Sequence, residues 1–131
     1  MTNRQFLETY RSLVLEVNSL EMAADRCQSD GAPSGIHSLH IEHSPATNTR
    51  HAASLQLYEG LTAQIKEKRE QLENMGSRFW SIVHAAPNPQ TTMIMAHYYG
   101  MGEQDNVIAS IVGYTREHVN RLRNEYIKQL A

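Results

Sequence analysis

The chain has 131 residues, 40% of them apolar and 20% charged, with a net charge of −2 when the histidines are neutral. That length suits one domain, or a small domain with an extended helical piece, and the balance excludes a basic protein that coats nucleic acid indiscriminately. No apolar run approaches the roughly 18 residues of a membrane span, and the charged start MTNRQFLETYRSL lacks the apolar core of a signal peptide, so a cytoplasmic protein is expected, with no membrane partner.

The first periodic segment runs from about Asn3 to Cys27. Phe6, Tyr10, Leu13, Val17, Leu20 and Ala24 recur at alternating spacings of four and three. This is a heptad-like stripe on one helical face, with Thr2 or Asn3 as the cap. Cys27 is the single cysteine and forms no intramolecular disulfide, which fits a reducing compartment. It reads as a small core-facing residue near a helix end, since no local base or cation would activate its thiol.

Residues 29–48 break the pattern with two glycines, two prolines and many small polar residues. They predict a long loop. Inside it, His37, His40 and His43 are three apart, with Glu42 between the last two. On a helix they would gather three imidazoles on one face, a set that suits a divalent metal. Pro33, Gly35 and Pro45 flank the segment, so a plain polar loop is the preferred reading over a metal site or a pH-responsive surface. No metal or cofactor is expected.

The second periodic segment extends from about Asn48 or Thr49 to Ala85. Tyr58, Leu61, Ile65, Leu72, Met75, Phe79 and Ile82 keep the three-four spacing, with Lys68 at one stripe position. Such a helix would be about 55 Å long. It needs a partner stripe of similar length, which the first helix supplies if the loop returns the chain antiparallel. The expected arrangement for residues 1–86 is a long, coiled-coil-like antiparallel hairpin, with pairing to a second copy as a homodimer. Lys66–Glu70 read as a solvated face, and Phe79 and Trp80 as core or as packing of the stalk against the C-terminal segment.

Pro87 and Pro89 end this helix and place a boundary before a C-terminal module of residues 87–131. A helix after Pro89 would bury Met93, Ile94 and His97 or Tyr98, and Gly100 and Gly102 would end it. A second helix spans about Gln104 to Val112, with Val107, Ile108, Ile111 and Val112 apolar. Gly113 allows a turn, Thr115 caps, and a third helix runs from Arg116 to about Gln129, burying Val119, Leu122, Tyr126, Ile127 and Leu130. Ala109, Gly113 and Val119 occupy the offsets a helix-turn-helix needs: a small residue for close approach, a glycine at positive φ, and an apolar plug.

The expected fold is therefore all-α, a helical hairpin followed by a tri-helical helix-turn-helix unit. The outer face of the third helix is its candidate DNA-reading surface: Thr115, Arg116, Glu117, His118, Asn120, Arg121, Asn124 and Lys128. Arginine donates two bonds to guanine, asparagine pairs bidentately with adenine, and Thr115 reaches a phosphate. Arg123 and Lys128 are expected nearer the DNA backbone. From Arg116 to Lys128 there are four basic and two acidic residues, a modest positive bias. A plainer use of the same helices is contact with protein. The chain carries no phosphate loop, no HExxH motif and no nucleophile elbow, so no enzyme activity is expected.

IASIVGYTREHVNRLRNEYIKQL and the preceding MIMAHYYGMG resemble a family of small phage-encoded transcriptional regulators. Their C-terminal module looks like region 4 of bacterial sigma factors, and the late-operon activators of the RinA and ArpU type are related. Ile108-Ala109, Gly113-Tyr114-Thr115, His118-Val119 and Arg121-Leu122 carry the match. The segment Glu103–Asn106 departs from the family pattern, being more acidic and lacking a tryptophan. The resemblance implies sequence-specific binding to double-stranded DNA in the bacterial host cell. The alternative is a helical interaction module that binds host RNA polymerase or another host protein.

Overall fold

The computed structural model describes residues 2–31 and 45–130, and among them it is all-α, with no strand. The helices are α1 (Asn3–Gly31), α2 (Pro45–His84), α3 (Pro89–Met95), α4 (Asp105–Val112) and α5 (Arg116–Leu130), with a π-helical turn over Ala96–Gly100. The expected loop at 29–48 is shorter at both ends. Helix α1 continues one turn beyond Cys27, and α2 begins at Pro45. Proline suits a helix start, because its missing N–H would have no intrahelical partner there. His37, His40 and His43 lie outside the described residues.

Thr2 starts α1 through a reciprocal capping box. Its Oγ1 accepts from the Gln5 backbone N–H at 3.1 Å, and Gln5 Oε1 accepts from the Thr2 backbone N–H at 3.0 Å. Phe6, Tyr10, Val17 and Ala24 of the expected stripe are buried, whereas Leu13 and Leu20 are half-buried. Leu7 and Val14 enter the core instead, because a helix of 3.6 residues per turn presents a face wider than a two-in-seven stripe.

Two compact units divide the described chain. The first comprises residues up to Glu16 and from Glu70 onward, the second Val17–Arg69. The expected boundary at 86/87 falls inside the first unit. Its main core gathers Phe6, Leu7 and Tyr10 from α1, Phe79, Ile82 and Val83 from α2, Met95, Tyr99, and Tyr126 and Ile127 from α5. Tyr10 stacks on Phe79 with ring centroids 4.1 Å apart and planes 4° from parallel. The Tyr126 hydroxyl donates to the Ile82 carbonyl, and Asn3 Nδ2 donates to the Leu130 carbonyl at 3.2 Å. Burying such aromatic pairs yields more than their area alone. The start of α1 and the end of α2 are thus parts of the same core as the C-terminal helices. In the second unit Val17, Ala24 and Ile65 are buried, and Arg69 pairs with Glu21 at its surface. Trp80, expected in the core or in packing against the C-terminal segment, is 47% exposed, meets Phe79 edge-on and stacks on His84 one turn on.

The Pro87–Pro89 segment both stops α2 and starts α3. Asn88 is the N-cap, its Oδ1 accepting from the Thr91 backbone N–H at 2.8 Å, and Pro89 occupies the first turn. This start fixes the phase of α3, so Thr91, Ile94 and Met95 face inward and Met93, expected inside, is 42% exposed. The π-turn after α3 takes one extra residue per turn and brings Tyr99 inward with Met95. Gly100 lies against Phe79, where a Cβ would meet the ring at 3.2 Å.

Helices α3, α4 and α5 pack on one another around Ile94, Ile108, Ala109 and Val119, with Tyr98, Val112, Tyr114 and Leu122 at the margin. Val107 and Ile111, expected to be part of the apolar face of α4, are 45% and 46% exposed. A helix of eight residues has one inner row, and Ile108 and Ala109 fill it. Gly113 takes φ +77° at the end of α4, and the N–H groups of Gly113 and Tyr114 both return to the Ala109 carbonyl.

A Cβ on Gly113 would meet no atom within 4 Å, so the cost of Gly113→Ala is conformational alone. A loss of about 1–2 kcal/mol is expected in urea denaturation, the value for an L-residue held in the left-handed region. Burial pushes the Tyr99 phenol up to about 12 against the opposing pull of the Arg123 charge, and burial also raises Tyr10 and Tyr126. An unfolded tyrosine releases its proton near pH 10, whereas buried Tyr99 holds it to about pH 12. Stability should therefore be intact below pH 10 and fall between pH 10 and 12. Tyr99→Phe should shallow that fall in denaturation midpoints measured across the interval.

Candidate nucleic-acid interface

Helix α5 has two chemically distinct sides. Val119, Arg123, Tyr126 and Ile127 are buried. Arg116, Glu117, Asn120, Arg121, Asn124 and Lys128 are exposed; Glu117, Arg121, Asn124 and Lys128 lie across the helix from the buried row, Asn120 flanks it, and Arg116, seven residues before Arg123, is on that row and exposed as the first residue of the helix. Thr115 is exposed at the helix start and its Oγ1 accepts from the His118 backbone N–H at 3.2 Å, so the expected phosphate ligand is also the cap. His118 is half-buried, its ring meeting Tyr114 edge-on at 4.6 Å. Seven of the eight expected residues are exposed and His118 is half-buried, with Thr115 capping the helix that carries the other seven.

Hydrogen bonds order this surface. Arg121 Nη2 lies 2.6 Å from His118 Nδ1. Guanidinium nitrogens only donate, so Nδ1 accepts and the imidazole proton sits on Nε2. Asn120 Nδ2 donates to Asp105 Oδ2 at 3.3 Å, and Asn124 Nδ2 donates to Asn120 Oδ1 at 2.8 Å. A carboxylate only accepts, so Asp105 dictates which way round the Asn120 amide sits, and Asn120 in turn orients Asn124. Exposed Asn124 keeps its carbonyl oxygen and a second N–H, a donor–acceptor pair of the kind that reads adenine.

Arg123 is corrected from the outer to the inner side. It is 6% exposed, pairs through Nη1 with Asp105 Oδ1, and holds its guanidinium 3.8 Å from the Tyr98 ring centroid. Arg11, on α1, lies 4.1 Å from the same centroid and donates from Nε to the Tyr98 carbonyl at 3.1 Å. These contacts explain the acidic segment before α4. Asp105 neutralises Arg123, and Glu103 Oε1 lies 3.2 Å from His97 Nδ1. Asp105 is mostly buried and paired with Arg123, so it subtracts little from the positive charge that Arg116, Arg121 and Lys128 present.

Sequence reasoning missed Arg11, Tyr98 and the inward role of Arg123. Arg123 carried a signal: it lies four residues after Val119 and four before Ile127, on the apolar side. A cation there implies a buried partner. Arg11 carried none, since 87 positions separate it from Tyr98.

Among the described residues, no group of three histidine, cysteine or acidic side chains is arranged to hold a metal, and no described helix is long and apolar enough to cross a membrane. No protein-family model matches the sequence, and neither a curated protein nor a solved structure is significantly similar to it.

Removing Asp105 strands a buried guanidinium. Asp105→Ala should cost about 3–5 kcal/mol in urea denaturation, the range for breaking one side of a buried pair. The double variant Asp105→Ala/Arg123→Met, which removes the stranded charge, should recover part of that loss. Equal stability of Asp105→Ala and the wild type would refute the structural role of the pair.

Proposed function

We propose that the chain is a sequence-specific regulator that binds double-stranded DNA through α5. In this reading α4, the Gly113 turn and α5 act as a helix-turn-helix, and α5 lies in the major groove. Arg121 addresses guanine, Asn120 and Asn124 address adenine, and Thr115, Arg116 and Lys128 reach the backbone. The observation that carries the reading is the outer side of α5: arginines and amides, two of them held in fixed orientation, on a helix whose inner side is locked into a core. Preorganised side chains lose less freedom on binding than free ones. The resemblance of residues 108–122 to sigma-region-4-like phage regulators supports the same conclusion and suggests transcription control in a bacterial cytoplasm. The long helices α1 and α2 would form an antiparallel hairpin that pairs two copies, presenting two reading helices to paired half-sites.

The competing reading is docking onto host RNA polymerase or another host protein. The exposed apolar pair Val107 and Ile111, one turn apart on α4, favours it.

A gel-shift titration on the flanking genomic DNA at two salt concentrations separates the two. The DNA reading expects a specific shift that weakens with salt, and an Arg116→Ala/Arg121→Ala variant that loses about 1–3 kcal/mol with the Arg121 guanine contact and part of the salt dependence with Arg116. The exposure of both arginines means this variant should keep its melting temperature. Absence of a shift at low salt, with recovery of polymerase subunits on immobilised protein, would establish the docking reading instead.

A further inference from the structure

A cleft of about 320 Å³ opens beside the N-terminus of α5, lined by Arg11, Tyr98, Gln104, Asp105, Asn106 and Arg116. It joins two cations from opposite ends of the sequence. Arg116 is the exposed first residue of α5, on the side of the helix that carries Arg123. Arg11 comes from the early turns of the first helix, which the sequence alone assigns to a stalk. Arg11 is also held in place: Nε is committed to the Tyr98 carbonyl at 3.1 Å and the guanidinium rests on the Tyr98 ring. Its terminal Nη groups are left for another acceptor. The one carboxylate of the cleft, Asp105, is already neutralised by Arg123 and bonded by Asn120. Two guanidinium groups with the amides of Gln104 and Asn106 therefore form a polar recess with an excess of positive charge and no anion of its own to satisfy it. A fork of guanidinium donors matches the oxygens of a phosphodiester.

We propose that this cleft seats a backbone phosphate of the bound duplex, with Arg11 and Arg116 as its ligands. The inference rests on the DNA-binding reading and deepens it. A helix with its N-terminal end in the major groove brings the flanking strand close to that same end, where Arg116 stands. Arg11 then clamps the strand from a different element, making the start of α1 part of the DNA interface and not only of the core.

The test is the dependence of binding on salt, measured on the flanking genomic DNA and on a random-sequence duplex of equal length. Each phosphate contact adds about 0.9 to the slope of log K against log salt. Arg11→Gln and Arg116→Gln should each lower the slope by about that amount on both duplexes, equally for every sequence. Between about 50 and 200 mM salt this amounts to a roughly three- to fourfold smaller loss of affinity. Arg11→Lys, which keeps the charge, should retain most of the slope. It serves as the control for lost packing on Tyr98, together with the melting temperature of each variant. An unchanged slope in Arg11→Gln, or equal slopes in folded Arg11→Gln and Arg11→Lys below that of the wild type, overturns the phosphate role of Arg11. If the slopes change as expected but wild-type protein binds both duplexes equally, sequence reading by α5 fails while the phosphate cleft stands. Absence of binding to either duplex overturns both.

Discussion

The buried Arg123 guanidinium is the constraint around which the C-terminal helices are arranged. A cation removed from water needs a compensating charge, and Asp105 supplies it from the first turn of α4. The negative side chain also suits the positive end of that helix. The same carboxylate holds Asn120, and the same guanidinium lies over Tyr98, which in turn carries Arg11. Helix α4, the π-turn, α5 and α1 are thereby tied through one polar cluster at the margin of an apolar core. An apolar contact alone tolerates sliding. A paired charge with directional hydrogen bonds does not, and this is the physical basis for a defined register between α4 and α5.

The apolar part of the first unit complements this arrangement. Phe79 is fully buried, stacked on Tyr10 and closed over by Gly100, whose missing side chain makes room for the ring. The Tyr126 hydroxyl satisfies the carbonyl of Ile82, so α5 is attached to the end of α2 by a directional bond as well as by packing. The inner side of α5 thus faces α2 and α1 near its end and α3 and α4 near its start. Its outer side is left with polar residues only. A reading helix requires that division: rigid support behind, hydrogen-bonding groups in front.

The two acidic residues Glu103 and Asp105 illustrate how net charge misleads when counted along the chain. Counted locally they oppose an anionic ligand. Placed in the fold, they are internal partners of Arg123 and His97, and the charge facing outward is set by Arg116, Arg121 and Lys128 against Glu117 and Glu125. The proposed phosphate cleft extends the same reasoning, since its positive character comes from residues far apart in sequence.

The all-helical class was legible in the sequence by itself. Periodic apolar residues, the Thr2 and Thr115 caps, the Pro87–Pro89 break and Gly113 after α4 act through the local backbone, so they locate helices without knowledge of neighbours. The outer face of α5 was legible for the same reason: once Val119, Tyr126 and Ile127 turn inward, helical geometry places Glu117, Arg121, Asn124 and Lys128 on the other side. Only the tertiary structure decided which of several apolar rows is covered, as Leu7, Val14 and Tyr99 show on one hand and Met93, Val107, Ile111 and Trp80 on the other. It also decided that Arg123 turns inward and that Arg11 arrives beside α5. Burial and charge pairing depend on what a face meets, and the partner in each case comes from a segment remote in sequence, which no local spacing encodes.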